Sequence, residues 1–245
     1  MLAFTGVGRT FPDGTEALRS VDLTVDGGEF VSVVGPSGCG KSTLLRLASG
    51  LDHVTTGRVH VGSPRVGYVF QDPTLLPWRS VRKNVELLAE LEHLPKAERR
   101  VRVDEAIGLV GLQGFEKHRP RALSGGMRMR TSLARSLVLQ PDVFLFDEPF
   151  GALDEMSRER LNDELLGFFA DRGFAALFIT HSVAEAVYLS TRVVVMSPRP
   201  GRILGDVSVP FGYPRQPELR YSEEFGKVAG EVSDLLRDVP RRPAR

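Results

Sequence analysis

One cysteine, Cys39, is all that 245 residues contain, so no disulfide within the chain can hold this fold together. No run approaches the roughly 18 apolar residues of a membrane span. The first residues, "MLAFTGVGRTFPDGTEAL", show no basic stretch followed by an apolar one, so no secretory signal is expected. Net charge is also nearly absent: 32 Lys and Arg against 31 Asp and Glu leave +1. Such a balance argues against nucleic acid as a partner by bulk electrostatics. There are no internal repeats and no low-complexity tract. The chain therefore reads as a protein of the cytoplasmic side; if it works at a membrane, another subunit must do the spanning.

What is present is a sizeable apolar fraction, 42%, arranged in short runs. Five of these, "FVSVV" (30–34), "VGYVF" (66–70), "VFLF" (143–146), "AALFI" (175–179) and "RVVVM" (192–196), are almost continuously apolar. That is the pattern of a parallel sheet covered on both faces. Helical patterns lie between them, which predicts a doubly wound α/β core. Residues 76–137 differ: "SVRKNVELLAELEHL" and "KAERRVRVDEAIGLVGL" have helical spacing with no strand between them. They predict a helical subdomain inserted into a core made of 1–75 and 138–215. "LTVDGGEF" predicts a turn joining strands of a small antiparallel sheet. Residues 216–245 read as a C-terminal amphipathic helix, "EEFGKVAGEVSDLL", and a solvated tail, "RRPAR".

"EFVSVVGPSGCGKSTLLRLASG" is a strand, a glycine-rich loop and a helix, the context a phosphate-binding loop requires. Gly35, Pro36, Ser37, Gly38, Cys39, Gly40, Lys41, Ser42 and Thr43 form the cradle. The glycines let successive N–H groups face inward, Lys41 reaches the β- and γ-phosphates, and the Ser42 hydroxyl suits Mg²⁺. A hydrogen bond to a charged group is worth about 1.5–3 kcal/mol, so a few amides with Lys41 can hold a nucleotide unaided. Cys39 fills a free position, where a bulky thiol adduct is expected to block ATP.

"VFLFDEP" ends a buried strand in two carboxylates. Asp147 is expected to hold Mg²⁺ and Glu148 to polarise the attacking water, a contribution of roughly 10²–10⁴-fold. His181 follows "AALFI" and Thr180, which puts it at the carboxyl edge of the sheet beside the γ-phosphate. Gln71, just past "VGYVF", can serve both the metal and the water and stands where the inserted helices begin. A second candidate anion cradle, "LSGGM", places Ser124, Gly125 and Gly126 at a helix start with no lysine beside them. Such a terminus contributes about 0.3–2 kcal/mol through its dipole, too little to capture ATP alone.

Taken in order, "GPSGCGKST", Gln71, "LSGGM", "LFDEP", "GALD" and "ITH" closely resemble the ATP-binding subunits of ABC transporters over nearly the whole chain. The resemblance implies an ABC-ATPase fold: a P-loop core with a small antiparallel β subdomain and an inserted helical subdomain. It implies that Phe11 stacks on adenine, with Phe4 a weaker candidate. "GALD", ending in Asp154, contacts the partner subunit. "LSGG" closes over ATP held by a second copy, so two chains form a head-to-tail dimer around two ATP. "VFQDPTLLPW", "LSGGMRMR", "DEPFGALD" and the late "SPRPGRI" are similar to importers of nitrate, sulfonate and taurine. In those, the surface from Gln71 to Trp78 docks a membrane permease, and an extracytoplasmic solute-binding protein delivers cargo. The site is then peripheral, on the cytoplasmic face of the membrane. For Trp78 a packing role in the inserted helices stays open.

There are departures. Ser182 stands where the family usually has aspartate; with Glu185 it predicts a capping box. The stretch from Gly57 to Tyr68 is short for the family. A soluble ABC-type ATPase acting on a protein scaffold or nucleic acid is the alternative reading, but no coiled coil, second cassette or basic stripe accompanies it. A kinase or GTPase has no use for "LSGGM", and no guanine-reading "NKxD" pattern occurs.

Overall fold

The hairpin that starts the chain is built by β1 (Leu2–Thr10) and β2 (Glu16–Val25), closed by a turn in which Phe11 N donates to Thr15 O at 2.9 Å. In this computed structural model, which describes residues 1–151 and 153–237, β4 (Thr56–Val61) joins the other side of β1 to complete a three-stranded antiparallel sheet, order β2-β1-β4. The expected tail, Arg241 to Arg245, lies outside the described residues. The turn in "LTVDGGEF" is formed, with Glu29 N donating to Asp26 O at 3.1 Å. It does not join strands of one sheet as expected: it leads from β2 into β3 (Phe30–Val34) of the second sheet. The signal for the antiparallel hairpin was the earlier "FPDGT".

The second sheet has the order β5-β6-β7-β3-β8-β9. Its strands β5 (Val66–Val69), β6 (Val143–Asp147), β7 (Ala175–Ile179) and β8 (Arg192–Met196) correspond to the four remaining apolar runs, and with β3 they pair in parallel. β9 (Ile203–Ser208) adds antiparallel to β8. It escaped the apolar-run criterion because "ILGDVS" is an edge strand, half exposed and interrupted by Gly205 and Asp206. The pleat divides the sheet's side chains cleanly. Phe30, Phe144, Phe146 and Phe178 enter one apolar cluster; Val31, Val33, Leu145 and Leu177 enter another, shared with the three-stranded sheet.

α1 (Lys41–Ala48) packs under the second cluster. Between β5 and β6 come α2 (Val81–Leu91), α3 (Lys96–Leu109) and α4 (Gly125–Leu137), with no strand among them. Their buried faces, including Val85, Ile107 and Leu133, join Phe144 and Phe146 in a single apolar cluster. Ion pairs Arg99–Glu86 (2.9 Å) and Arg82–Asp104 tie α3 to α2. The Gly57–Tyr68 stretch, although short, still supplies both β4 and β5.

α5 (Glu155–Arg172) and α6 (Val183–Leu189) cover the same sheet face, and α7 (Glu223–Arg237) closes it with Phe225 and Val232 buried. The link before α7 carries a guanidinium in the core. Arg215, 7% exposed, donates to the carbonyls of Val187, Tyr188, Ser190 and Phe211 at 2.6–3.0 Å. It caps the carbonyl end of α6, and burial without a carboxylate pulls its pKa down.

Candidate functional site

β3 ends at Val34 and the chain turns through residues 35–40 into α1. Gly38 (φ +73°) and Gly40 (φ +108°) take left-handed backbone that a side chain resists. Gly40 cedes space as well: a Cβ there meets Ala17 O at 2.9 Å. No side chain caps the N-terminus of α1 and no acid stands in its first turn, so its amides remain open to an anion. Lys41 is 6% exposed, its Nζ donating to Gly35 O (2.9 Å) and Pro36 O (3.1 Å), folded over its own loop.

A cavity of about 350 Å³ opens over this loop, lined by Phe11, Ser37, Gly38, Lys41, Gln71 and Glu148 among others. Ser42 and Thr43 also face it. Phe11 sits on the hairpin turn with the Arg9 guanidinium 4.8 Å from its ring centroid, and Arg9 is itself held by Asp52 at 2.7 Å. Phe4, 2% exposed, is in the core and not available to a base. Cys39 departs from expectation. The residue is 1% exposed, its thiol is packed in the core, and burial pushes its pKa up. Only its backbone belongs to the loop, so an adduct has no way in without opening the core. We expect Cys39 to react with a thiol reagent orders of magnitude more slowly in the folded chain than in denaturant. Fast labelling of the native protein, followed by mass spectrometry, refutes that placement.

β6 delivers Asp147 beside the loop. Its Oδ1 accepts from Ser42 Oγ at 2.8 Å and its Oδ2 from the Tyr68 hydroxyl at 3.3 Å. Burial raises the Asp147 pKa, and these two bonds pull against it. Tyr68, on the adjacent strand β5, has its own pKa pushed far above the phenolic range by burial and by Asp147. Hydroxyl and carboxylate oxygens are the donors a hard cation takes. No group of three or more His, Cys, Asp or Glu among the described residues could cage a metal. One carboxylate with a hydroxyl fits Mg²⁺, which borrows its remaining ligands from phosphates and water.

Glu148 leaves the strand with φ +44°, a conformation that non-glycine residues hold only where the surroundings enforce it. Its N–H is fixed on Ile179 O at 3.0 Å. The turn brings Oε2 to 3.5 Å from Nδ1 of His181, which follows β7 and is 58% exposed in its side chain. Ser182 caps α6 as expected, its Oγ accepting from Glu185 N at 3.2 Å. The reciprocal half of the capping box is not made. Ser182 N donates instead to Thr180 Oγ1 at 3.0 Å, and the buried Glu185 carboxylate is bonded by the Thr180 hydroxyl.

Ser124 is the N-cap of α4, its Oγ accepting from Met127 N at 3.2 Å. Ser124 and Gly125 are exposed, and Ser124, Gly125 and Gly126 do not line the cavity over the loop at 35–43. The two cradles are therefore separate within one chain. Asp154 is likewise outside that cavity; its carboxylate caps α5, accepting from Ser157 N at 2.9 Å, which holds its pKa low. Ala152 of "GALD" lies outside the described residues. The far end of α4 reaches the chain just after Gln71. Arg135, 8% exposed, donates to Pro73 O, Thr74 O and Thr74 Oγ1, each at 3.0 Å, just beyond Gln71. Ser136 Oγ donates to Tyr68 O at 2.8 Å. Trp78 is 68% exposed, which removes the packing role left open for it.

Comparison with known proteins decides the family. The model for the ABC transporter family matches residues 18–151. The chain belongs to the ABC transporter family. It is an ATP-binding cassette of that family and an ATPase. The cassette is 43% identical to the nitrate import ATP-binding protein of Synechococcus elongatus, covering 96% of this chain and 91% of that one. It is 42% identical to the aliphatic sulfonates import ATP-binding protein of Bacillus licheniformis, over 89% and 86% of the two chains. A solved dimeric ATP-binding cassette in a post-hydrolysis state, bound to ADP and Pi, superposes with a TM-score of 0.78 at 29% identity. That match covers 86% of this cassette and 100% of the other. No helix among the described residues is long and apolar enough to cross a membrane.

Proposed function

We propose that the cavity over Gly35–Thr43 holds Mg·ATP, that two copies close head-to-tail around two nucleotides, and that this motion drives a membrane permease importing a small oxyanion. Nitrate and aliphatic sulfonates are the class suggested by the named relatives. The observation that carries the proposal is the second cradle. An exposed helix N-terminus at Ser124–Gly126, without lysine or carboxylate, stands apart from a cavity already equipped with Lys41, Ser42, Asp147 and Glu148. Its dipole contributes about 0.3–2 kcal/mol, enough to favour closure on ATP that another copy already holds.

Within each site the loop amides and Lys41 bind the phosphates, and Phe11 offers a ring to adenine. Ser42 and Asp147 would hold magnesium, which neutralises charge on the phosphate oxygens. Glu148 orients and polarises water, with His181 against its carboxylate. Gln71 senses the phosphate end and, through residues 73–74 and Arg135, passes its state to α4. The exposed Trp78 surface faces the permease, and an extracytoplasmic binding protein presents the solute. Reconstitution in liposomes with candidate permease and solute-binding subunits tests this. Turnover should rise severalfold with nitrate or an alkanesulfonate outside; equal turnover with and without every oxyanion offered rejects the importer reading.

A further inference from the structure

The motif "SPRPGRI" has no task in the mechanism above, yet it is built into the site. The turn between β8 and β9 is tied to itself: the Ser197 hydroxyl lies 2.9 Å from Pro198 O and 3.1 Å from Pro200 O, and accepts from Arg202 N at 3.0 Å. It is tied to β2 as well, Gly201 N donating to Ala17 O (2.8 Å) and Arg19 N to Gly201 O (3.0 Å). It also lies directly on the phosphate loop. A Cβ at Gly201 falls 2.2 Å from Cys39 O, so only glycine allows that approach.

This anchored arm presents Arg199 to the cavity, where it is part of the lining. Its Nε and Nη2 reach Gly38 O at 3.2 and 3.0 Å. No ion pair engages Arg199 among the described residues, so the guanidinium keeps further N–H donors and its charge for a ligand. Phe11 lines the same cavity. The Asp13 carboxyl, two residues on, is held below its ordinary range chiefly by Thr15 and, more weakly, by the charge of Arg199. Lys41, Gln71 and Glu148 serve the terminal phosphates, and Phe11 the base. What lies between is the ribose and α-phosphate.

We propose that Arg199 is a nucleotide-contacting residue, binding the ribose–α-phosphate part of ATP from the β8–β9 arm. The proposal rests on the cavity being the ATP site. The α-phosphate is common to ATP and ADP and does not react, so the contact is uniform binding: it lowers KM and leaves kcat alone.

The test uses the full chain with Arg199→Ala, Arg199→Gln and Arg199→Lys, and Arg202→Ala as a control from the same turn. Equilibrium titration with ADP and with ATP, and steady-state ATPase kinetics, are measured on each. Alanine and glutamine should each weaken ATP and ADP in parallel, by about tenfold, and raise KM by the same factor with kcat within about twofold. Lysine should recover part of the loss, and Arg202→Ala should match wild type. Unchanged affinity in Arg199→Ala overturns the proposal. So does wild-type affinity in Arg199→Gln, which can still bond Gly38 O and would reduce Arg199 to a prop for the loop. Loss confined to ATP places the residue at the γ end and also overturns it. If Arg199→Ala does not fold, the glutamine and lysine variants decide the matter. A wild-type chain that binds neither nucleotide defeats the ATP reading instead.

Discussion

Glu148→Gln is expected to lower steady-state ATP turnover by about 10²–10⁴-fold while nucleotide affinity stays close to that of the wild-type chain. The substitution is close to isosteric and keeps the same Cβ, so the left-handed backbone at φ +44° and the bond from its N–H to Ile179 O are retained. What is lost is the carboxylate that faces His181 at 3.5 Å and lines the cavity. Asp147 and its bonds to Ser42 and Tyr68 are untouched, so the donors proposed for metal and phosphate are kept. ATP then binds without being consumed, and a dimer closed by nucleotide should accumulate and be visible by gel filtration with ATP, not with ADP. Turnover near the wild-type rate removes Glu148 from the role proposed here. A parallel collapse of ATP affinity assigns it to binding.

The second large effect concerns pairing. Lys41→Ala removes the ammonium that lies over Gly35 O and Pro36 O and should abolish turnover through lost phosphate binding. Gly125→Asp sets a carboxylate at the start of α4. The position is open: a Cβ there would meet only the Arg128 guanidinium, at 3.9 Å, and an acid in the first turn suits a helix. The fold is therefore spared, but in the proposed dimer a negative charge would face the γ-phosphate of the other copy. Each variant alone should be inactive, and only the first should lose ATP binding. Mixed in equal amounts, half the dimers are hybrids with one sound composite site, so activity should return to about a quarter of wild type. Mixtures that stay inactive at every ratio mean that each chain completes its own site.

Much of this architecture was legible because a parallel sheet buried on both faces writes itself as apolar runs; β3, β5, β6, β7 and β8 all began from such runs. β9 wrote no such signal, since an edge strand has one exposed side. The phosphate loop was legible for a different reason: backbone turned through positive φ at Gly38 and Gly40 admits few alternatives. The residues that sequence reasoning missed are those whose neighbours are distant in the chain. Tyr68 reads as one more strand aromatic until β5 and β6 pair and bring its hydroxyl to Asp147. Arg135 carries no motif of its own in the sequence, and only the fold of α4 aims it at Pro73 and Thr74. Glu185 is a different case: it fitted the capping rule, but its buried carboxylate is taken by the hydroxyl of nearby Thr180.

Arg135 has a mechanical consequence. Its guanidinium is nearly dry, with burial drawing its pKa down, and it grips three oxygens of residues 73–74 at once. Sliding those residues by about 1 Å relative to α4 would strain all three part-buried bonds together. The stretch after Gln71 is thus pinned to the last turn of α4, a helix of 13 residues whose opposite end is capped by Ser124.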